Sequence, residues 1–264
     1  MAVQLSGMAE FLAAVDRARS ISLASYVLSA GPLVRALETA GDRGASVAVT
    51  LAADPVENDA KTLGEQNRSI AQELERHHVS VELATRQTHL KAAVVDGRAF
   101  LDDRNWADDR TRADEPSTVL VDTDPDDVRV VEAGIAGRAG SDARLWMRKL
   151  DALDAEASLV REAGGDRIEV ESESFGFGAV ERALETKARA GNDVRLLVCA
   201  REAERPREAS ALRRLAAAGV QIRLSRFDEK IAVAGTQAWA GSANAGVYPP
   251  DMVDWGMRTR ASGV

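Results

Sequence analysis

This 264-residue sequence predicts a mixed α/β fold made of two homologous halves, on three observations. Segments with strand character alternate with segments of helical period, the mark of α/β and α+β sandwiches. The pentapeptide Arg-Ala-Leu-Glu-Thr occurs at residues 35–39 and again at 182–186, an offset of 147. The same offset pairs Ile21 with Ile168, Gly44 with Gly191 and Val47 with Val194, so one register runs through strand, helix and turn.

The elements follow in order. Residues 21–28 alternate and are rich in β-formers, which predicts a strand. Gly31-Pro32 opens a helix over 33–42, with proline in the first turn, where its missing N–H costs nothing. Gly44 ends that helix before a strand over 46–51. A polar connection and a helix over 61–76 lead to a strand over 79–83. Strands over 91–96, 98–101 and 117–122 come next, with Asp96-Gly97 as a hairpin turn between the first two. An acidic, glycine-dotted stretch then leads into a helix over 143–163. The spacing predicts a first repeat over 1–123, a connector and helix over 124–165, and a second repeat over 166–264. Copies of a duplicated unit pack about a pseudo-twofold axis and bring equivalent segments face to face, so one site is expected at their seam.

Composition narrows the function. With 34 Lys+Arg against 42 Asp+Glu, the net charge is −8. That balance argues against sequence-blind capture of nucleic acid, which needs many cations facing phosphates. A local basic groove stays compatible with it. Cys199 is the single cysteine, so neither an intrachain disulfide nor a cysteine zinc site is expected. No apolar run approaches the ~20 residues of a membrane span. The N-terminus lacks a basic leader before a hydrophobic stretch, and a cytoplasmic setting is the expectation. No cofactor, metal or obligate protein partner is called for.

The stretch Thr88–Trp106 carries the chemistry. His89 and Lys91 stand two apart on an expected strand and so project to one face. Asp96, Asn105 and Glu115 follow. Past the first part of each half the offset shortens by eight to 139, pairing Lys91 with Lys230, Val95 with Ala234, Asn105 with Asn244 and Glu115 with Asp254. The second half keeps the lysine and has an unbroken Gly241-Ser242-Ala243-Asn244, but Asp228 stands opposite His89 and Gly235 opposite Asp96.

These residues resemble the phospholipase D superfamily, whose mark is His-x-Lys-x4-Asp followed by Gly-Ser-x-Asn, usually present twice. His89, Lys91 and Asp96 fit the first part without a gap. The second part comes one residue early in both halves. The resemblance implies one phosphodiester bound by two motif copies, without a metal. His89 attacks phosphorus to give a phosphohistidine, and Lys91, Lys230, Asn105, Asn244 and Ser242 hold the phosphate oxygens. Glu115 orients His89, Asp254 is its counterpart, and Asp228 stands at the general-acid position. A carboxyl group donates a proton only if its pKa is raised, which the two lysines oppose and Asp254 favours. Asp103 falls where a phosphate-binding serine is expected and repels an anion. Two readings follow: a slow phosphodiesterase, hydrolysing or transferring a diester of unknown type, or a catalytically impaired scaffold that binds a phosphate ligand or a protein.

Other residues read as structural. Asp96 belongs to its turn, and Trp239 to the core. Cys199 reads as buried and inert. His77 and His78 end a helix with no carboxylate cluster apparent nearby, which argues against a metal site. Residues 201–214 balance arginine with glutamate, as a solvated helix face does. Glu171 and Glu173 either line the site or form the polar face of an edge strand.

Overall fold

The computed structural model describes residues 3–55, 60–106, 118–138, 140–165, 167–227, 229–246 and 250–260. The chain divides into two compact units, Met1–Asp142 and Ala143–Val264, each built on one seven-stranded sheet.

The first unit runs β1 (Gln4–Gly7), α1 (Met8–Arg17), β2 (Ser20–Ser25), α2 (Pro32–Asp42), β3 (Ser46–Ala52), α3 (Ala60–Arg76), β4 (Ser80–Ala84), β5 (Lys91–Val95), β6 (Arg98–Leu101), β7 (Thr118–Asp122) and α4 (Pro125–Ile135). Its sheet order is β4-β3-β2-β5-β6-β7-β1. Strands β2, β3 and β4 are parallel and joined by helices, whereas β5, β6, β7 and β1 pair antiparallel. Tight turns suffice for the antiparallel pairs, but the parallel ones need crossovers.

The second unit runs β8 (Leu145–Trp146), α5 (Lys149–Glu162), β9 (Ile168–Ser172), α6 (Ala179–Arg189), β10 (Val194–Cys199), α7 (Ala200–Ala203), α8 (Pro206–Ala218), β11 (Gln221–Ser225), β12 (Ile231–Ala234), β13 (Gln237–Gly241) and β14 (Gly256–Arg260). Its order, β11-β10-β9-β12-β13-β14-β8, repeats the first element for element. The register repeats as well: Ala24 faces Ala92 in one sheet, and their equivalents Glu171 and Ile231 face each other in the other. Gly44 and Gly191 hold the same left-handed conformation, with φ of 87° and 88°.

Each unit has its own apolar core. In α2 the buried positions Leu33, Val34, Leu37, Ala40 and Gly41 follow the helical period and define one face. Gly41 is required by a close approach, because a Cβ there would lie 2.0 Å from the His77 carbonyl oxygen. Strand β5 is buried at all five positions, since α4 packs over β2, β5 and β6. It therefore reads as a continuous apolar run rather than an alternation.

Three local differences from the sequence expectations have physical causes. The strand expected over 21–28 stops at Ser25, whose hydroxyl donates to the Val27 carbonyl and turns the chain. The helix expected over 143–163 begins instead as β8, which pairs with β14, and α5 starts only at Lys149. Three elements, β1, α1 and α4, were not anticipated. β1 is a four-residue edge strand with Leu5 exposed, so it carries little pattern. The segment 124–165 is shared out: α4 packs on the first sheet, and β8 and α5 on the second. No helix among the described residues is long and apolar enough to cross a membrane.

Candidate functional site

The first half-site forms where β5 begins. Leu90 gives its carbonyl to the Tyr26 N–H, and the chain enters β5 only at Lys91, so His89 precedes the strand instead of lying on it. The expected neighbourhood survives this shift: His89 Nε2 and Lys91 Nζ are 2.8 Å apart. An ammonium has no acceptor, so it donates, and Nε2 of the imidazole carries the lone pair. Lys91 is only 2% exposed. The Tyr26 ring meets the His89 ring edge-on at 4.7 Å between centroids, and the Lys91 ammonium lies 5.5 Å from the Tyr26 ring centre, within cation–π range. Tyr26 was missed by sequence reasoning, although the 147-residue offset places it opposite Glu173.

Beyond β6 the chain folds back, and the Asp102 N–H donates to the Lys91 carbonyl. The Asp102 carboxylate accepts from the Trp106 indole and from the Arg104 N–H. Arg104 Nε stands 3.6 Å from carboxylate oxygens of both Asp102 and Asp103. The negative charge expected at Asp103 thus has a guanidinium beside it. Asn105 is half-buried, and its Oδ1 has no hydrogen-bond partner among the described residues. Asp96 serves its turn: with φ at 46°, its carboxylate accepts from the Arg19 and Ser20 N–H groups.

The second half-site repeats the frame with different chemistry. The Gly241 N–H donates to the Lys230 carbonyl, as Asp102 does to Lys91. Lys230 is 4% exposed, and its ammonium lies 3.3 Å from Glu173 Oε2. The same carboxylate oxygen is 3.4 Å from Asn244 Nδ2, while Asn244 Oδ1 lies 3.4 Å from the Ser174 N–H. Ser242 is fully buried, donates to Asp254 Oδ1 at 2.7 Å and accepts from the Trp255 N–H. Lys149, also buried, lies near Asp254; desolvation lowers its pKa and the Asp254 charge works against that. Glu115 and Asp228 lie outside the described residues. Glu171 lines a hollow of about 430 Å³ on the second sheet with Glu169, Arg195, Arg223 and Ile231.

One expectation is corrected. Carboxylates do surround His77: Asp42 is 2.9 Å from its Nδ1 and Glu73 3.9 Å from its Nε2, and Glu38 stands close by. Helices α2 and α3 end side by side, so residues remote in sequence meet. The hydrogen bond to Asp42, more than the surrounding charge, raises the pKa of His77. Cys199 is buried, and Trp239 sits in the second core. Arginines along this segment pair with nearby glutamates, Arg205 between α7 and α8 with Glu202, and Arg214 of α8 with Glu181 and Glu185.

Two sheets of identical strand order, each with a buried lysine at the start of its fourth-position strand or one residue before it, define a phospholipase D-like fold. Among solved structures, the polyphosphate kinase of Porphyromonas gingivalis matches with a TM-score of 0.65 at 16% identity, over 98% of this chain. This chain spans about half of that enzyme, 47% of its length. Yeast tyrosyl-DNA phosphodiesterase matches with a TM-score of 0.54 at 9% identity, over 93% of this chain and 83% of the other. Both share the phospholipase D-like architecture. No protein-family model and no curated protein matches the sequence.

Proposed function

We propose that the chain is a metal-independent phosphodiesterase in which His89 is the nucleophile and both half-sites serve one phosphate. One observation carries the reading: a buried lysine holds its ammonium 2.8 Å from His89 Nε2, whose lone pair accepts that hydrogen bond. When a diester enters, the Lys91 ammonium transfers its hydrogen bond to a phosphate oxygen and Nε2 attacks phosphorus. A P–N bond forms, a P–O bond breaks, and the leaving oxygen departs as the alkoxide or phenoxide, or takes a proton from Asp228. Water then cleaves the P–N bond and regenerates the imidazole. Glu115 orients His89; Asn105, Lys230 and Asn244 hold oxygens, and Asp254 holds the Ser242 hydroxyl beside them. Loss of an effective general acid costs about 10²–10⁴ in rate, so diesters with acidic leaving groups turn over fastest.

The test is hydrolysis of bis-p-nitrophenyl phosphate with intact-mass analysis after a quench at neutral pH. Wild type is expected to release nitrophenolate and to carry a covalent aryl phosphate that His89→Ala lacks. Lys230→Met should lower the rate as well. Equal rates for wild type and His89→Ala would reject the catalytic reading. The occupation of Lys230 and Asn244 by Glu173 favours the second reading, a phosphate-binding scaffold, and phosphate binding without a covalent adduct would establish it.

A further inference from the structure

We infer that Glu173 is an internal stand-in for substrate, a carboxylate that holds the second half-site until a phosphate displaces it, and so sets affinity for the anion. The inference rests on the phosphodiesterase reading of the site. Residue 173 occupies the place of Tyr26 in the repeat. Each follows a buried serine, Ser172 or Ser25, whose hydroxyl donates two residues on, to Ser174 or Val27. In the first half-site that position carries an aromatic ring, 5.5 Å from the Lys91 ammonium, in place of a carboxylate. In the second, Glu173 Oε2 lies 3.3 Å from the Lys230 ammonium and 3.4 Å from the Asn244 amide. These are the two donors that the motif assigns to phosphate oxygens, and a carboxylate oxygen satisfies both in the same way.

A buried ammonium requires a counter-charge, because taking it from water unpaired is costly. With Glu173 in place, Lys230 has one before any ligand arrives. The carboxylate also has somewhere to go. Its other oxygen is 3.4 Å from Arg201 Nη2, on an exposed side chain. An incoming phosphate oxygen takes Lys230 and Asn244, and Glu173 keeps Arg201.

The experiment is titration of the full chain with inorganic phosphate by calorimetry, with thermal unfolding as a check on folding. Glu173→Gln is expected to bind phosphate roughly tenfold tighter, since a competing charge at ~3 Å from the ammonium is removed. The gain should vanish in Glu173→Gln/Lys230→Met. Arg201→Ala removes the alternative partner from an exposed position and is expected to weaken phosphate binding severalfold. If Glu173→Gln folds and binds no tighter, or if Arg201→Ala leaves binding unchanged, Glu173 is no stand-in. Should Glu173→Gln fail to fold, Arg201→Ala decides alone. If phosphate binding is indifferent to Lys230→Met and His89 acquires no phosphate, the phosphodiesterase reading itself falls.

Discussion

The two repeats share a scaffold and differ in what they hang on it. Strand order, the register of the central strands, the left-handed glycines and the backbone bond from residue 102 or 241 to the lysine carbonyl recur. At the half-sites, the first unit carries His89 and Tyr26, and the second carries Lys230 and Glu173. The cores differ too. Phe11 packs against Phe100 and Trp106, with ring centres 4.9 and 5.1 Å apart. In the second repeat, aligning the helix ends (Val15 with Val160, Ala18 with Ala163) sets Glu156 opposite Phe11, while Trp239 and Ala245 take the places of Phe100 and Trp106. One fold therefore accommodates an aromatic cluster in one copy and a buried carboxyl group in the other.

The sharpest way to break that comparison is at Phe11. It is fully buried, and Phe11→Ala leaves a cavity in the aromatic cluster; a cost of about 3–5 kcal/mol is expected. Glu156→Leu in the second repeat should cost far less or stabilise, because it removes a polar group that burial penalises. Urea denaturation of both variants measures the contrast. A cost below ~1 kcal/mol for Phe11→Ala would mean that the cluster is not what holds the first core.

The second effect is a pH dependence. Glu156 is 1% exposed, its Oε2 has no hydrogen bond among the described residues, and burial pushes its pKa up to about 8 from 4.5. Below pH 4.5 folded and unfolded chains both hold the proton. Between there and about 8 only the folded chain does, so stability falls as pH rises through this window and levels off above it. The total is on the order of a few kcal/mol. Glu208 adds a similar but smaller trend; burial, then the Glu202 charge, pushes it up to about 7. Glu156→Gln isolates the larger contribution: the difference between the wild-type and variant stability curves should slope downwards from pH 5 to 8. A flat difference would show that Glu156 is ionised throughout.

Much of this was legible in the sequence because repetition doubles every signal. The Arg-Ala-Leu-Glu-Thr repeat, with Gly44 and Gly191, fixes helix, turn and strand together, and the two sheets match accordingly. His89 and Lys91 met as their spacing required. What escaped depends on contacts that spacing does not encode. Two of the carboxylates around His77, Glu38 and Asp42, come from α2, Asp42 from 35 residues away, and meet it only because two helix ends pack together. Ser242 reads as a phosphate donor in a linear motif, yet the fold aims its hydroxyl at Asp254. Glu173 lies at the end of a strand, and the alternation there gives no sign of whether a carboxylate meets Lys230 or water.

The smallest effect compares the ends of two equivalent helices. The register of the third parallel strand in each sheet aligns residue 78 with residue 219: Ser80 faces Ala48, and Gln221 faces Arg195. Both residues sit just past a helix, both donate to the carbonyl three residues back, and both have positive φ, 62° at His78 and 101° at Gly219. Glycine adopts that conformation without a Cβ clash, whereas a histidine there carries a strain of about 1–2 kcal/mol. His78→Gly makes the first repeat like the second. It relieves the clash but gives the unfolded chain more freedom, so a net gain of roughly 0.5–1 kcal/mol is expected. A shift of the urea midpoint to higher concentration at unchanged slope would report it. Replacing Gly219 by His should lower the midpoint, and if both substitutions destabilise, the two helix ends are alike in backbone only.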